Sequence, residues 1–369
     1  MNTIQQSKNG VLNEMSKPPP PDVFLNLVES PAFGMPDSEI SNLCILPEQI
    51  TSNPYIKAAT SPNTRRAYQS DIRHFEKWGG PLPAGPEHLV QYLLHFAQSL
   101  NARTLSRRLV ALGNWHVYQG FPDPSGHSAV VKTMAGIVRT HGRPKDKSSA
   151  LSAEDLVRIV SNLEQDSSMR SARDIALLLV GFFGAFRRSE LVAIQVAHLT
   201  WKDDGLEILI PHSKTDQENE GQVCAVPAGT PPLCPVHALR KWLDISGIHD
   251  GFLFRAARKK NIDDQPLTAG MVSLILKKHA REAGIRQQKK LSSHSLRRGL
   301  ASRASAEGAS IAAIMRQGRW KNVNTVMEYI EAAQRFEDNA ASQVMKGIGL
   351  EQKSGDSHET VFSRQSVPD

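Results

Sequence analysis

Between Ser61 and Gly79, the residues Tyr68, Ile72, Phe75 and Trp78 recur at three- and four-residue steps among polar neighbours, which predicts an amphipathic helix. Asn63 or Thr64 is the expected N-cap and Gly79 the expected stop. Leu89, Tyr92, Leu93 and Phe96 set a second helix over about 86–99. Two more follow over about 102–118 and 128–140, split by the breaker GFPDPSG. An all-helical unit is therefore expected. The polar, proline-containing stretch HGRPKDKSSALS has no period, which makes it a linker with a domain boundary near residue 148.

Beyond it, helices are expected over 153–164 and 172–186 and from about 189. LEILIPHSKTDQENEGQVCAVP has two β-rich runs around a polar turn, the pattern of a hairpin. From Pro235 to about Val344 the chain reads as mainly helical, so the second domain is α+β and the protein mainly α. Residues 1–50 carry the run Pro18 to Pro21, more prolines at 31, 36 and 47, and no apolar period, which predicts a disordered arm.

Composition adds size and charge. With 369 residues, 40% of them hydrophobic, the chain can bury two cores. Its net charge of +7 is uneven: residues 1–50 hold two basic residues against six acids, and residues 51–150 hold thirteen against five. A basic block next to an acidic arm favours an anionic partner without identifying it. Cys44, Cys224 and Cys234 are too few and scattered for a disulfide framework. The start MNTIQQSKNG lacks a signal-peptide pattern and no apolar run is long enough to cross a bilayer, so a cytoplasmic protein without membrane contact is expected.

Three segments hold reactive side chains: GAFRRSEL (184–191), HSLRRG (294–299) and GRWKNVNTVMEYI (318–330). Each alone has a structural explanation. Arg187 and Arg188 could offset a helix dipole or pair with Glu190, and His294, Arg297 and Arg298 could form a solvated basic surface. Tyr329 sits among Val326, Met327 and Ile330 like a core residue, yet it is the only tyrosine after Tyr118. Cys234 and His237 have a Cys-x-x-His spacing near Cys224 and His212, which raises zinc. No second paired motif appears and the hairpin explains the region, so no metal is expected. The phosphate-binding pattern GxxxxGK[ST] is missing, so no nucleotide cofactor is expected either.

Taken together and in order, the three boxes resemble those of the tyrosine recombinase (phage integrase) family, and SIAAIMRQGRWKNVNTVMEYI is similar to the tyrosine box of its Cre-like members. The resemblance covers about residues 55–345. It implies a helical SAM-like core-binding domain over 51–147 and an α+β catalytic domain over 148–348, and beside them a disordered arm over 1–50 and a disordered tail over 349–369 are expected. It also implies catalytic roles for Arg187, Lys214, His294, Arg297 and Trp320, with Tyr329 as nucleophile and Glu190 orienting its neighbours.

These residue types suit phosphodiester chemistry. A transition state with extra charge on its nonbridging oxygens fits two fixed guanidiniums, Arg187 and Arg297. A tyrosine hydroxyl is a weak nucleophile at neutral pH and needs a proton acceptor, for which His294 is suited. The departing 5′ oxygen needs an acid, and Lys214 in the hairpin turn fits that role. Trp320 offers an indole N–H.

In the helical unit, Arg65, Arg66, Thr104, Arg107 and Arg108 are candidate contacts to double-stranded DNA carrying a specific site. Ala332, Phe336, Ala340 and Val344 form a narrow apolar stripe, and the resemblance implies that this last helix docks into a neighbour within a tetramer on DNA. Two other readings stay open: a DNA-binding regulator without catalysis, and a type IB topoisomerase-like enzyme.

Overall fold

The computed structural model describes residues 60–144, 146–211, 221–258, 261–333 and 339–348. It divides into two compact units after Lys145.

The first unit holds α1 (Pro62–Trp78), α2 (Pro86–Phe96), α3 (Ala102–Tyr118) and α4 (Ser128–His141). The N-cap of α1 is Ser61 rather than Asn63 or Thr64: its Oγ accepts the N–H of Thr64 at 3.2 Å. Pro62 takes the first helical position, where its missing N–H leaves nothing unpaired. Gly79 ends the helix at φ +101°, a conformation that glycine adopts without a Cβ clash. Helix α1 packs on α3 and α2 on α4, around Ile72, Phe75, Leu89, Tyr92, Leu93, Leu105, Leu112 and Val130. The apolar positions that set the helical period are thus the ones that fill the core. Helix α2 is shorter than its period suggests and stops at Phe96.

The second unit is centred on α6 (Met169–Phe183), buried from Ser171 through Phe182 and packed by α5 (Ala153–Glu164), α8 (Pro235–Ser246) and α10 (Ser293–Ala306). From Ile175 to Phe182 α6 is apolar on every face and has to be surrounded, while buried Arg173 and Asp174 pair with each other at 2.6 Å. After α7 (Arg188–Ala193) come β1 (Leu199–Lys202), β2 (Gly205–Ile210) and β3 (Gln222–Pro227), an antiparallel sheet in that order with Leu206 opposite Val226 and Ile208 opposite Cys224. Strands β2 and β3 are the hairpin expected from the sequence. Strand β1 and the pair β4 (Arg255–Arg258) and β5 (Asn261–Pro266) were not expected, because RAAR and NIDDQP are short, polar and without alternation. The unit continues through α9 (Ala269–Glu282), α10, α11 (Ile311–Gly318), α12 (Val323–Ala333) and α13 (Ala340–Gly347).

One helix boundary differs from the sequence reading. Helix α6 spans Met169–Phe183, not 172–186, because the chain leaves the helix at Gly184 and turns through Ala185 at φ +46°. Cys234 is the N-cap of α8, its sulfur accepting the N–H of His237 at 3.3 Å. Among the described residues no group of three or more His, Cys, Asp and Glu is placed to hold a metal ion, and none of their helices is long and apolar enough to cross a membrane.

Candidate active site

The turn at the end of α6 builds the floor of the site. An alanine with positive φ is uncommon and marks a constrained backbone. Here Ala185 is fully buried, and its carbonyl accepts hydrogen bonds from both Arg297 Nη1 and Arg319 Nη2. The positive φ presents this carbonyl to two guanidiniums from distant segments.

Two residues on, Arg187 caps α7 from an extended conformation. Glu190, one turn into the helix, reaches back: it accepts the Arg187 N–H at 3.0 Å and its Nη1 at 2.6 Å. On its other side Glu190 meets Arg319 Nη2 at 3.3 Å. Burial opposes the charged form of this carboxyl, but the hydrogen bonds from Arg187 and the charges of Arg187 and Arg319 outweigh it and hold it below the usual carboxylate range. Arg319 sits in the left-handed region at φ +56°, with its guanidinium over the Phe186 ring and bonded to the carbonyls of Gly184 and Gln317.

Arg297, in the second turn of α10, is 4% exposed and donates to the carbonyls of Ala185 and Gly318. Burial, with Arg187 and Arg319 close by, draws its guanidinium down to about 9, so it remains protonated at neutral pH. Three guanidiniums around one carboxylate leave a local excess of positive charge that an oxyanion would offset.

Trp320 joins this cluster to the tyrosine. Arg297 Cζ lies 4.3 Å from the centre of the Trp320 ring, and that ring meets Tyr329 edge-on at 6.0 Å and 66°. Val326 and Ile330 anchor α12 in a small core with Ala185, Ala301, Ile314 and Trp320, which leaves Tyr329 half-buried at its edge. His294 is exposed in the first turn of α10, one turn before Arg297 and so on a neighbouring part of the same helix face.

Arg187, Glu190, Arg297, Trp320 and Tyr329 are therefore linked in one set of contacts, with Arg319 and the Ala185 carbonyl bridging Glu190 to Arg297. Lys214 and His212 lie outside the described residues. Two further arginines contact these residues: Arg319, which was not singled out beforehand, and Arg298, which was named only as part of a basic surface. Both sit next to a residue that was singled out, and nothing in their local pattern separates them from solvated arginines.

In the helical unit the candidate contacts behave differently from one another. Arg66 is exposed and donates to Asn63 Oδ1 at 2.8 Å, whereas Arg65 is half-buried against the Thr60 carbonyl. Thr104 is half-buried, and Arg107 is exposed on α3 with its Nη1 3.0 Å from Asp71. Arg108 does not fit its grouping with them: its side chain is only 11% exposed, pairs with buried Asp71, and donates to His74 Nδ1 and Tyr92 Oη at 2.9 Å. Burial, with Arg108 and Lys77 nearby, lowers His74, which leaves Nδ1 free to accept. Arg108 thus faces inward because the acceptors it satisfies are in the core.

A fold of this kind, with paired arginines beside a tyrosine, defines a class of DNA strand-cleaving proteins, and comparison with known proteins places the chain within it. Residues 149–335 match the phage integrase family, and residues 55–119 match the phage integrase N-terminal SAM-like domain. The chain belongs to the phage integrase family. It is 36% identical to an integrase/recombinase xerD homolog of Selenomonas ruminantium over 78% of this chain and 87% of that one. It is 28% identical to the recombinase cre of Escherichia phage P1, over 69% of this chain and 77% of that one. Among solved structures, a XerH site-specific recombinase bound to a palindromic difH substrate in a post-cleavage complex shares the fold. The TM-score is 0.57 at 17% identity, covering 78% of this chain and 81% of that one.

Proposed function

We propose that this protein carries out site-specific DNA recombination by cutting and rejoining strands through a covalent tyrosine linkage. Tyr329 Oη attacks the scissile phosphorus, the bond to the 5′ oxygen breaks, and a 3′-phosphotyrosine forms beside a free 5′ hydroxyl. Arg187 and Arg297 hold the nonbridging oxygens as charge builds on them, and the Trp320 indole N–H adds a further donor. Glu190 orients Arg187 from behind. His294 takes the phenolic proton, and Lys214 protonates the departing oxygen. Attack by the 5′ hydroxyl of a partner strand reverses the step, first giving a Holliday junction and then recombinant duplexes. The phosphotyrosine bond conserves the energy of the cut, so neither ATP nor a metal is required.

The observation that carries this reading is the unbroken contact from Arg297 through Trp320 to Tyr329, which sets the family's nucleophile position next to a buried cationic clamp. The partners are double-stranded DNA with specific sites, with Arg65, Arg66, Thr104 and Arg107 toward the duplex, and further copies of the chain. Exposed Val344, Met345 and Ile348 at α13 support assembly of a tetramer through this helix.

The test is incubation with nicked duplexes from the native genomic neighbourhood in EDTA, followed by denaturing electrophoresis. A covalent adduct that Tyr329→Phe abolishes supports the reading. No adduct on DNA that the protein binds would leave a DNA-binding regulator without catalysis.

A further inference from the structure

The arginine next to Arg297 has its own set of contacts. Arg298 Cζ lies 5.0 Å from the centre of the Tyr329 ring, and its Nη1 donates to the carbonyl of Ser148, where the chain enters the second unit. One turn further along α10, Ser302 Oγ donates to the backbone carbonyl of Tyr329 at 3.2 Å. Helix α10 thus holds the tyrosine at two points, its ring through Arg298 and its backbone through Ser302. Consecutive residues on a helix are about 100° apart, so Arg297 and Arg298 serve two sides of the helix at once. The entering chain is tied down on the same side, since Lys147 Nζ lies 2.6 Å from Glu328, the residue before the tyrosine.

We infer that Arg298 is a positioning residue for Tyr329: the Ser148 carbonyl fixes its guanidinium, which stacks on the phenol ring and sets the ring's angle toward the arginine clamp. A guanidinium suits this task because it is flat. It covers a ring face while its edge donors hold a carbonyl, whereas a lysine ammonium keeps the charge but loses the planar match. The inference rests on Tyr329 as the nucleophile in the function proposed above, and it adds a role for a residue that touches the tyrosine ring.

Two measurements on the full chain test it. In the DNA-free protein carrying 3-fluorotyrosine, the 19F resonance that disappears in Tyr329→Phe belongs to residue 329. Arg298→Met is expected to move and broaden it, leaving the remaining tyrosine signals and the thermal midpoint close to wild type. On nicked duplex at saturating protein, Arg298→Met is expected to slow adduct formation at least tenfold with DNA affinity within twofold of wild type, and Arg298→Lys to recover only part of that rate. A wild-type 19F signal in Arg298→Met, or a cleavage rate within twofold of wild type, overturns the inference. If Arg298→Met unfolds, Arg298→Lys decides alone, and a wild-type rate there overturns it. Absence of any adduct from the wild-type protein on bound DNA would instead refute the recombination reading, while the 19F comparison would still report on the ring.

Discussion

Arg319 Nη2 lies 3.3 Å from the carboxylate of Glu190, a residue 129 positions earlier, and both side chains are almost completely buried. This contact ties the turn after α11 to the start of α7 and so fixes the spacing between the two sides of the arginine clamp. A buried ion pair adds little net stability over an apolar pair of similar shape, but loss of one partner leaves an uncompensated buried charge.

Glu190→Ala is therefore expected to destabilise the second unit by about 3–5 kcal/mol, and Glu190→Gln by less, because the amide still accepts from Arg187 or Arg319. The carboxyl is depressed in the folded protein, so its contribution is present above its unfolded value and lost as pH falls through the folded one. Urea midpoints of wild type should decline below about pH 4.5, the ordinary glutamate value, and Glu190→Gln should lack that part of the decline. Identical acid profiles would show that the pair contributes nothing to folding.

Gly318 sets the approach of Trp320. A Cβ at this position would lie 1.8–2.4 Å from three carbons of the Trp320 ring, and the Gly318 carbonyl also accepts from Arg297. Gly318→Ala is expected to cost about 1–3 kcal/mol through overpacking. It should reduce adduct formation more than DNA binding, because the displaced indole carries Tyr329 with it. Thermal unfolding and single-turnover cleavage would show both effects, and a wild-type cleavage rate would remove Trp320 as the link to the tyrosine.

Arg107 and Arg108 are adjacent and both pair with Asp71, yet only Arg107 is exposed, so the two should respond differently. Arg107→Ala is expected to weaken DNA binding across sequences and to lower the salt dependence by about one counterion. Arg108→Ala strips buried Asp71 of one of its two ion partners and His74 and Tyr92 of a donor, so it should destabilise the helical unit by on the order of 2 kcal/mol. Gel shifts at several salt concentrations, beside thermal unfolding, separate the two. Equal loss of binding with no change in stability would place both on the DNA face.

Replacing Val344, Met345 and Ile348 together by serine should leave cleavage of a single nicked duplex unchanged and abolish products that require two sites. These side chains are exposed in a single chain, so the change should not disturb its fold. Wild-type yields on a two-site substrate would exclude α13 from assembly.

Much of this was legible in local pattern. Helix α3 has the limits expected of it, and Leu105, Leu109 and Leu112, at three- and four-residue spacing, form its buried face. The strands β1, β4 and β5 were not legible, because segments of four to six residues take extended form only where a neighbouring strand supplies hydrogen-bond partners.

The sequence by itself determined the family, the order of the arginine, histidine and tyrosine boxes, and the helices whose apolar period defines a core. Only the tertiary structure decided where the long arginines point. Arg319 was placed by Glu190 and the Ala185 carbonyl, Arg298 by the Ser148 carbonyl and the Tyr329 ring, and Arg108 by Asp71. The physical reason is reach. Periodicity reports which face of a helix is buried, whereas a guanidinium extends well past its own helix and settles on whichever carboxylates, carbonyls and rings the rest of the chain brings to it.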